Sequence, residues 1–151
     1  MAQYDLLVIG SGPAGQKAAV QAAKLGKTVG IIERKTVVGG VSTNTGTIPS
    51  KALREAVLYL SGFRQRTLYG AEYRLKKTIT IEDLAFRANH IIKNEIEIVQ
   101  NQMARNRIDL IFGEARFVDL HRLLIHQAGT SIEHRAHVIV IAVGTEPARP
   151  A

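Results

Sequence analysis

The sequence has no cysteine and no tryptophan, and only four tyrosines and four phenylalanines in 151 residues. Without cysteine there is no disulfide framework, no zinc–thiolate site and no thiol nucleophile. Aromatics this sparse do not supply a stacking platform for nucleic-acid bases. Long apolar runs are missing too. The longest are of strand length, far below the roughly 18 residues a membrane helix needs, so no membrane partner is expected. The opening Met1-Ala2-Gln3-Tyr4-Asp5 runs straight into an apolar strand with no basic region or cleavage site, so no signal peptide is read there. The expectation is a soluble, cytoplasmic chain. Charge of one sign is in surplus, 20 Lys and Arg against 13 Asp and Glu, for a net +7. No basic block is longer than Arg34-Lys35 or Lys76-Lys77, so this is not the footprint of a nucleic-acid binder; a phosphorylated ligand would suit it. None of His90, His121, His126, His134 and His137 stands at metal-ligand spacing, and no metal is expected.

What is present is a 46% hydrophobic fraction, enough for the core of one ordinary domain. Residues 4–9 form a short apolar run ending in glycine, as a buried parallel strand does. Pro13 to Leu25 is alanine-rich, with proline suited to a first helical turn and Gly26 to the stop. Thr28 to Ile32 reads as a second strand, which completes a βαβ period in about 30 residues. Residues 34–48 read as a loop, a helix starts near Pro49, and 62–78 reads as a polar connection. Thr80 with Asp83 resembles a capping box for a long helix whose stripe is Leu84, Ala88, Ile91, Ile92, Ile96, Val99 and Met103. Short strands follow at 109–112, 115–118, 123–126, weakly at 131–133, and at 137–143. The expected fold class is α/β: a Rossmann-like parallel sheet with a short antiparallel meander and a buried last strand. The ending Pro147-Ala148-Arg149-Pro150-Ala151 reads as the start of a linker.

The first turn reads Gly10-Ser11-Gly12-Pro13-Ala14-Gly15, the GxGxxG pattern between a strand and a helix. Gly10 suits the tight turn, Gly12 lets backbone approach a pyrophosphate, and Gly15 with Ala19 lets the helix sit close to the sheet. The helix start offers unpaired amides and a positive dipole end to phosphates. Glu33 closes the second strand, where a carboxylate accepts hydrogen bonds from ribose hydroxyls; Arg34 follows it. A free 2′-hydroxyl is therefore expected on the ligand. The motif indicates a dinucleotide but does not choose between NAD and FAD.

The choice comes from Gly39-Gly40-Val41-Ser42-Thr43-Asn44-Thr45-Gly46-Thr47-Ile48-Pro49-Ser50-Lys51-Ala52-Leu53. This stretch resembles the active-site segment of the glutathione reductase and lipoamide dehydrogenase group of flavoproteins. The resemblance implies FAD as the bound cofactor, with Glu33 on the adenosine ribose and Gly39-Gly40 along the pyrophosphate. It also implies Glu114-Ala115 beside the adenine and Ala142-Val143-Gly144 closing over the cofactor. In that group the disulfide-reducing members carry cysteine where Ser42 and Thr47 stand, and hydroxyls cannot relay electrons as a dithiol does. Val41 and Val143 stand where many relatives have threonine, which removes two side-chain hydrogen bonds to the cofactor. The run from Asn44 through Val57, the segments Arg105-Asn106-Arg107 and Gly113–Phe117, and Gly144-Thr145-Glu146-Pro147 are similar to the soluble pyridine nucleotide transhydrogenases.

That branch implies hydride passing between NADPH and NAD+ through the flavin. It would put Lys51 near the flavin N5, where an ammonium stabilises an anionic reduced ring; a solvated surface lysine is the plain alternative. Thr47 would lie over the flavin, donating a hydrogen bond or filling the volume a sulfur fills elsewhere. The resemblance also implies a nicotinamide domain and a dimerising domain, hence a homo-oligomer, and neither is encoded here. Residues 1–151 are thus read as the N-terminal portion of an FAD-binding domain, inactive alone. The alternative is a stand-alone FAD- or ADP-binding module without catalytic activity.

Overall fold

A computed structural model of the chain describes residues 2–73, 75–146 and 148. Among them are six strands and five helices. They run β1 (Ala2–Ile9), α1 (Pro13–Lys24), β2 (Val29–Glu33), α2 (Gly40–Asn44), α3 (Thr47–Leu60), α4 (Arg66–Tyr69), α5 (Ile81–Arg105), β3 (Asp109–Phe112), β4 (Glu114–Phe117), β5 (Arg122–Gln127) and β6 (Thr130–Ile141). Two compact units result, one made of Met1–Gly40 with Ile96–Ala151 and the other of Val41–Glu95.

The first unit holds one sheet in the order β3-β2-β1-β6-β5-β4. β3, β2, β1 and β6 run parallel, whereas β6, β5 and β4 are antiparallel. β6 is long enough to serve both halves: Thr130–Arg135 pair with β5 and His134–Ile141 with β1. Alternation along the strands then gives the sheet two apolar faces. Leu6, Val8, Val29 and Ile31 pack with Ala19 and Val20 of α1 and with Val99 and Met103 of α5. Leu7 and Ile32 point the other way, onto Leu123 and Ile125 of β5 and Ala136 of β6. All five residues of β2 are buried, as a strand covered on both faces must be. Val8, Leu7, Ile31 and Ile32 are essentially inaccessible to solvent, each worth about 1.5–3 kcal/mol of burial.

Local chemistry explains the elements. α1 has five alanines in twelve residues, starts with a proline that needs no amide partner, and is followed by Gly26, whose φ of +76° is the left-handed stop. In the second unit Thr80 and Asp83 form the capping box: the Thr80 N–H donates to Asp83 Oδ2 at 2.9 Å and the Asp83 N–H to Thr80 Oγ1 at 3.4 Å. The Lys76 ammonium and the Thr80 N–H hold the Asp83 carboxyl below the usual carboxylate range. The apolar stripe of α5 is buried or half-buried throughout, whereas Phe86 and Ile98, off the stripe, are exposed.

Several boundaries differ from the sequence expectation. The segment expected as a loop, 34–48, holds the five-residue α2, and the connection 62–78 holds the four-residue α4. α3 starts at Thr47 and not at Pro49, which puts Lys51 in its second turn. The weak strand at 131–133 and the last strand are one continuous β6, ending at Ile141. That strand is not buried as expected, because of its residues only Ala136 is fully covered. β3 belongs to the parallel half of the sheet and not to the meander. Pro147, Arg149, Pro150 and Ala151, most of the expected linker, lie outside the described residues.

Candidate nucleotide-binding site

The carboxyl ends of β1, β2 and β6 meet at one edge of the first unit. Strand β1 turns into α1 there, and β1 has β2 on one side and β6 on the other, so the sheet reverses its order at this strand. Gly10 makes the turn with φ +107°, its N–H donating to the Ile32 carbonyl at 2.8 Å. A Cβ at Gly10 would stand 2.3 Å from the Ala142 carbonyl oxygen, so glycine is required where the two strand ends converge. A Cβ at Gly15 would stand 2.0 Å from the Gly10 carbonyl oxygen and 3.1 Å from Val8 Cγ1, which fixes how closely α1 lies on the sheet.

Gly12 behaves differently. It is the N-cap of α1, in an extended conformation (φ −67°, ψ 177°) with no side-chain cap. A Cβ there would meet no protein atom within 4 Å. The first turn of a 12-residue helix therefore opens onto a cradle bounded by Gly12 and by Gly40, whose own Cβ would lie 2.9 Å from Gly12 Cα. Pro13 and Ala14, in that turn, are both exposed.

Next to the cradle, Glu33 is buried at the end of β2. Its Oε2 accepts from the Ser11 N–H at 3.1 Å and the Ser11 hydroxyl at 2.6 Å; its Oε1 accepts from the Lys35 N–H at 3.0 Å. Ser11 Oγ also accepts from the Gly39 N–H at 3.1 Å, and the Ser11 carbonyl accepts from Gln16 Nε2 at 2.8 Å. One buried hydroxyl thus ties the glycine turn, the acid of β2 and the second glycine pair together. A carboxylate offers about four acceptor sites, and three are taken, which leaves one on Oε1 for an outside donor. The Gly113 N–H donates to the Glu33 carbonyl at 2.9 Å, which brings the start of β4, Glu114 and half-buried Ala115, beside the same acid. Arg34 reaches across to Glu146, Nη2 to Oε1 at 2.8 Å, beyond Ala142, Val143 and Gly144.

Of the residues expected to bind the cofactor, Gly10, Gly12, Pro13, Ala14, Gly15, Glu33, Arg34, Gly39, Gly40, Glu114, Ala115, Ala142, Val143 and Gly144 lie in the first unit. Val41, Ser42, Thr47 and Lys51 belong to the second unit. There Val41, Thr47 and Lys51 are exposed, Ser42 is half-buried, and the Val41 carbonyl accepts from the N–H groups of Thr45 and Gly46 at 3.1 and 2.7 Å. Sequence reasoning missed Ser11 and Glu146. A serine between the first two glycines is a visible hint, but nothing local announces that its hydroxyl meets an acid 22 residues on. Among the described residues no group of three or more acidic or histidine side chains forms a metal site, and no helix is long and apolar enough to cross a membrane.

A strand–GxGxxG–helix turn with an anchored acid at the end of the next strand is a dinucleotide-fold geometry. Residues 4–151 match the family model of the pyridine nucleotide-disulphide oxidoreductases. The chain belongs to that family. It is 55% identical over 152 aligned positions to the soluble pyridine nucleotide transhydrogenase of Mycobacterium tuberculosis (strain ATCC 25177 / H37Ra), covering 99% of this chain and 32% of that protein. It is 39% identical over 148 positions to the soluble pyridine nucleotide transhydrogenase of Colwellia psychrerythraea, covering 97% of this chain and 32% of that one. Among solved structures, the Cu(II) complex of the HOCl-induced flavoprotein disulfide reductase RclA from Escherichia coli superposes with a TM-score of 0.81 at 27% identity. That match covers 99% of this chain and 30% of RclA. The chain thus spans about a third of the length of the relatives it matches, and it corresponds to their N-terminal part.

Proposed function

We propose that this chain is the flavin-binding part of an FAD-dependent oxidoreductase that moves hydride between NADPH and NAD+ without a redox disulfide. The observation that carries the reading is the cradle at Gly12: an uncapped helix start with open space where a Cβ would be, beside a buried acid held by three donors. These residues fit the adenosine diphosphate half of FAD. The helix start and the glycines at 12, 39 and 40 would receive the pyrophosphate, and Glu33 Oε1 a ribose hydroxyl. Glu114 and Ala115 would line the adenine, and Ala142, Val143 and Gly144 the opposite wall. Bound FAD supplies a ring that takes up and gives back a hydride. Within the chain, Lys51 would hold positive charge near that ring and Thr47 would donate to it or fill space; the likeness to the transhydrogenases supports both assignments.

The absence of cysteine from this chain removes the dithiol of the disulfide-reducing relatives at Ser42 and Thr47. The nicotinamide and dimerising functions belong, on this reading, to polypeptide beyond this chain, in a homo-oligomer. The 151 residues by themselves bind but do not turn over. Because only one glycine-rich nucleotide loop is present, a module that binds FAD or ADP and catalyses nothing is the second reading. The test has two parts. FAD and ADP are titrated into the chain by calorimetry and flavin fluorescence, where binding of both at one site is expected. Protein carrying the remaining domains is then loaded with FAD and given NADPH with a thio-analogue of NAD+. Absence of hydride exchange in that protein overturns the transhydrogenase reading and leaves the binding module.

A further inference from the structure

The residues at the adenosine end carry two contradictory signals. An acid at the end of the second strand selects a free 2′-hydroxyl, whereas an arginine nearby accepts a 2′-phosphate. Glu33 and Arg34 are adjacent in the chain. Glu33 is buried and fixed by Ser11 and Lys35, so it cannot turn away. Arg34 lies at the surface with its side chain 65% exposed. Its guanidinium is engaged by Glu146, itself 78% exposed, on the segment that follows β6. Glu146 is 112 residues away in sequence, and that same segment includes Ala142, whose carbonyl abuts Gly10.

We propose that Glu146 is a specificity-determining residue: by occupying Arg34 it stops the site from reading a 2′-phosphate, so that an adenosine diphosphate with free ribose hydroxyls is taken and its 2′-phosphorylated counterpart refused. The inference rests on the nucleotide reading above and deepens it. The physical reason is charge count. With Glu146 in place, a 2′-phosphate arriving beside Glu33 meets two carboxylates and a guanidinium already paired. With Glu146 neutralised, the guanidinium is free to make a forked, charge-assisted contact to phosphate oxygens. Such discrimination matters where a 2′-phosphorylated dinucleotide and an unphosphorylated one are both present. The Lys35 side chain attracts anions equally in every variant, so the informative quantity is a ratio of affinities.

The experiment measures dissociation constants of ADP and of 2′-phospho-ADP by calorimetry at low salt, for the 151-residue chain, Glu146→Gln, and Glu146→Gln with Arg34→Gln. The unmodified chain should favour ADP. In Glu146→Gln the preference should narrow about tenfold, and in the double variant it should return. Raising the salt should shrink the difference between the single variant and the parent. An unchanged ratio in Glu146→Gln overturns the inference, and so does an equal narrowing in the double variant, since Arg34 would then not be the reader. Failure of ADP to bind the unmodified chain at all instead overturns the nucleotide reading beneath it. Thermal melts of all three proteins serve as the folding control, because both side chains are largely exposed and their loss should leave the melt in place.

Discussion

Gly12 and Gly15 belong to one motif but should answer substitution in opposite ways. At Gly12 an added Cβ meets nothing within 4 Å, and the backbone is in a region open to any residue. The change to alanine removes some unfolded-state freedom, worth about 0.4–1 kcal/mol in favour of folding. It also replaces a tolerable N-cap with a poor one, a loss of about 0.5–1 kcal/mol. The two nearly cancel, and the melting temperature should move by no more than a few degrees. At Gly15 the same methyl would stand 2.0 Å from the Gly10 carbonyl oxygen. That overlap is relieved only by lifting α1 from the sheet, at about 1–3 kcal/mol or more. With about 2–4 °C per kcal/mol for a chain of this size, Gly15→Ala should melt roughly 2–12 °C lower. Nucleotide affinity should separate them again. Gly12→Ala puts its methyl into the cradle and should weaken ADP binding at least tenfold, about 1.4 kcal/mol, on an intact fold. Circular-dichroism melts with calorimetric ADP titrations of both variants decide the matter. Full ADP affinity in Gly12→Ala, or a melt as low as that of Gly15→Ala, would refute the assignment of the cradle.

Other substitutions probe the same architecture. Ser11→Ala removes the hydroxyl between Glu33 and the Gly39 N–H, and should destabilise the chain by about 1.5–3 kcal/mol; urea unfolding measures this, and a loss below about 0.5 kcal/mol would show the hydroxyl to be dispensable. Ala128 holds φ +47° beside Gly129 at +83° in the two-residue turn between β5 and β6. Ala128→Gly should therefore gain stability of the order of 1 kcal/mol, and a loss would mean that the turn relaxes without strain. Burial, with the bond of the Tyr4 hydroxyl to Asp109 Oδ2 at 2.9 Å, pushes the Tyr4 phenol up to about 12. A raised phenol holds its proton longer folded than unfolded, so its contribution is complete below pH 10 and lost as pH rises through about 12. Tyrosinate absorbance should show a component near 12 that Tyr4→Phe removes; its persistence in the variant would refute the assignment.

The parts of this protein legible in the sequence are those whose signal is local. The glycine turn, the alanine-rich α1 and the stripe of α5 each follow from residue spacing within one element. So does the capping box, because Thr80 and Asp83 are three apart. The helices α2 and α4 escaped because four or five residues inside turn-dense segments show no period. The sequence divides β6 into two strands because its 130–135 stretch is polar apart from Ile132 while 138–141 is wholly apolar, and both patterns belong to one strand with two kinds of neighbour. At the site, the sequence indicated Glu33 but not what fixes it, since Ser11 and Glu33 meet only through the sheet. The Arg34–Glu146 pair was beyond any pattern argument, because it depends on β6 returning beside β1.

That return sets the order in which the protein can fold. β1 is a central strand, yet its partner on one side is β6, the last of the described strands, with Ala2 opposite His134 and Ile9 opposite Ile141. On its other side β2 must wait for β3, with Gly30 opposite Asp109 across the whole of the second unit. Parallel pairings of such sequence separation cost loop-closure entropy before any contact offsets it, and they fold slowly. During synthesis, Leu6, Leu7 and Val8 therefore remain in a strand with an open edge until residues 134–141 have left the ribosome. In a growing cell this interval, more than the finished fold, is when the protein is most exposed to aggregation.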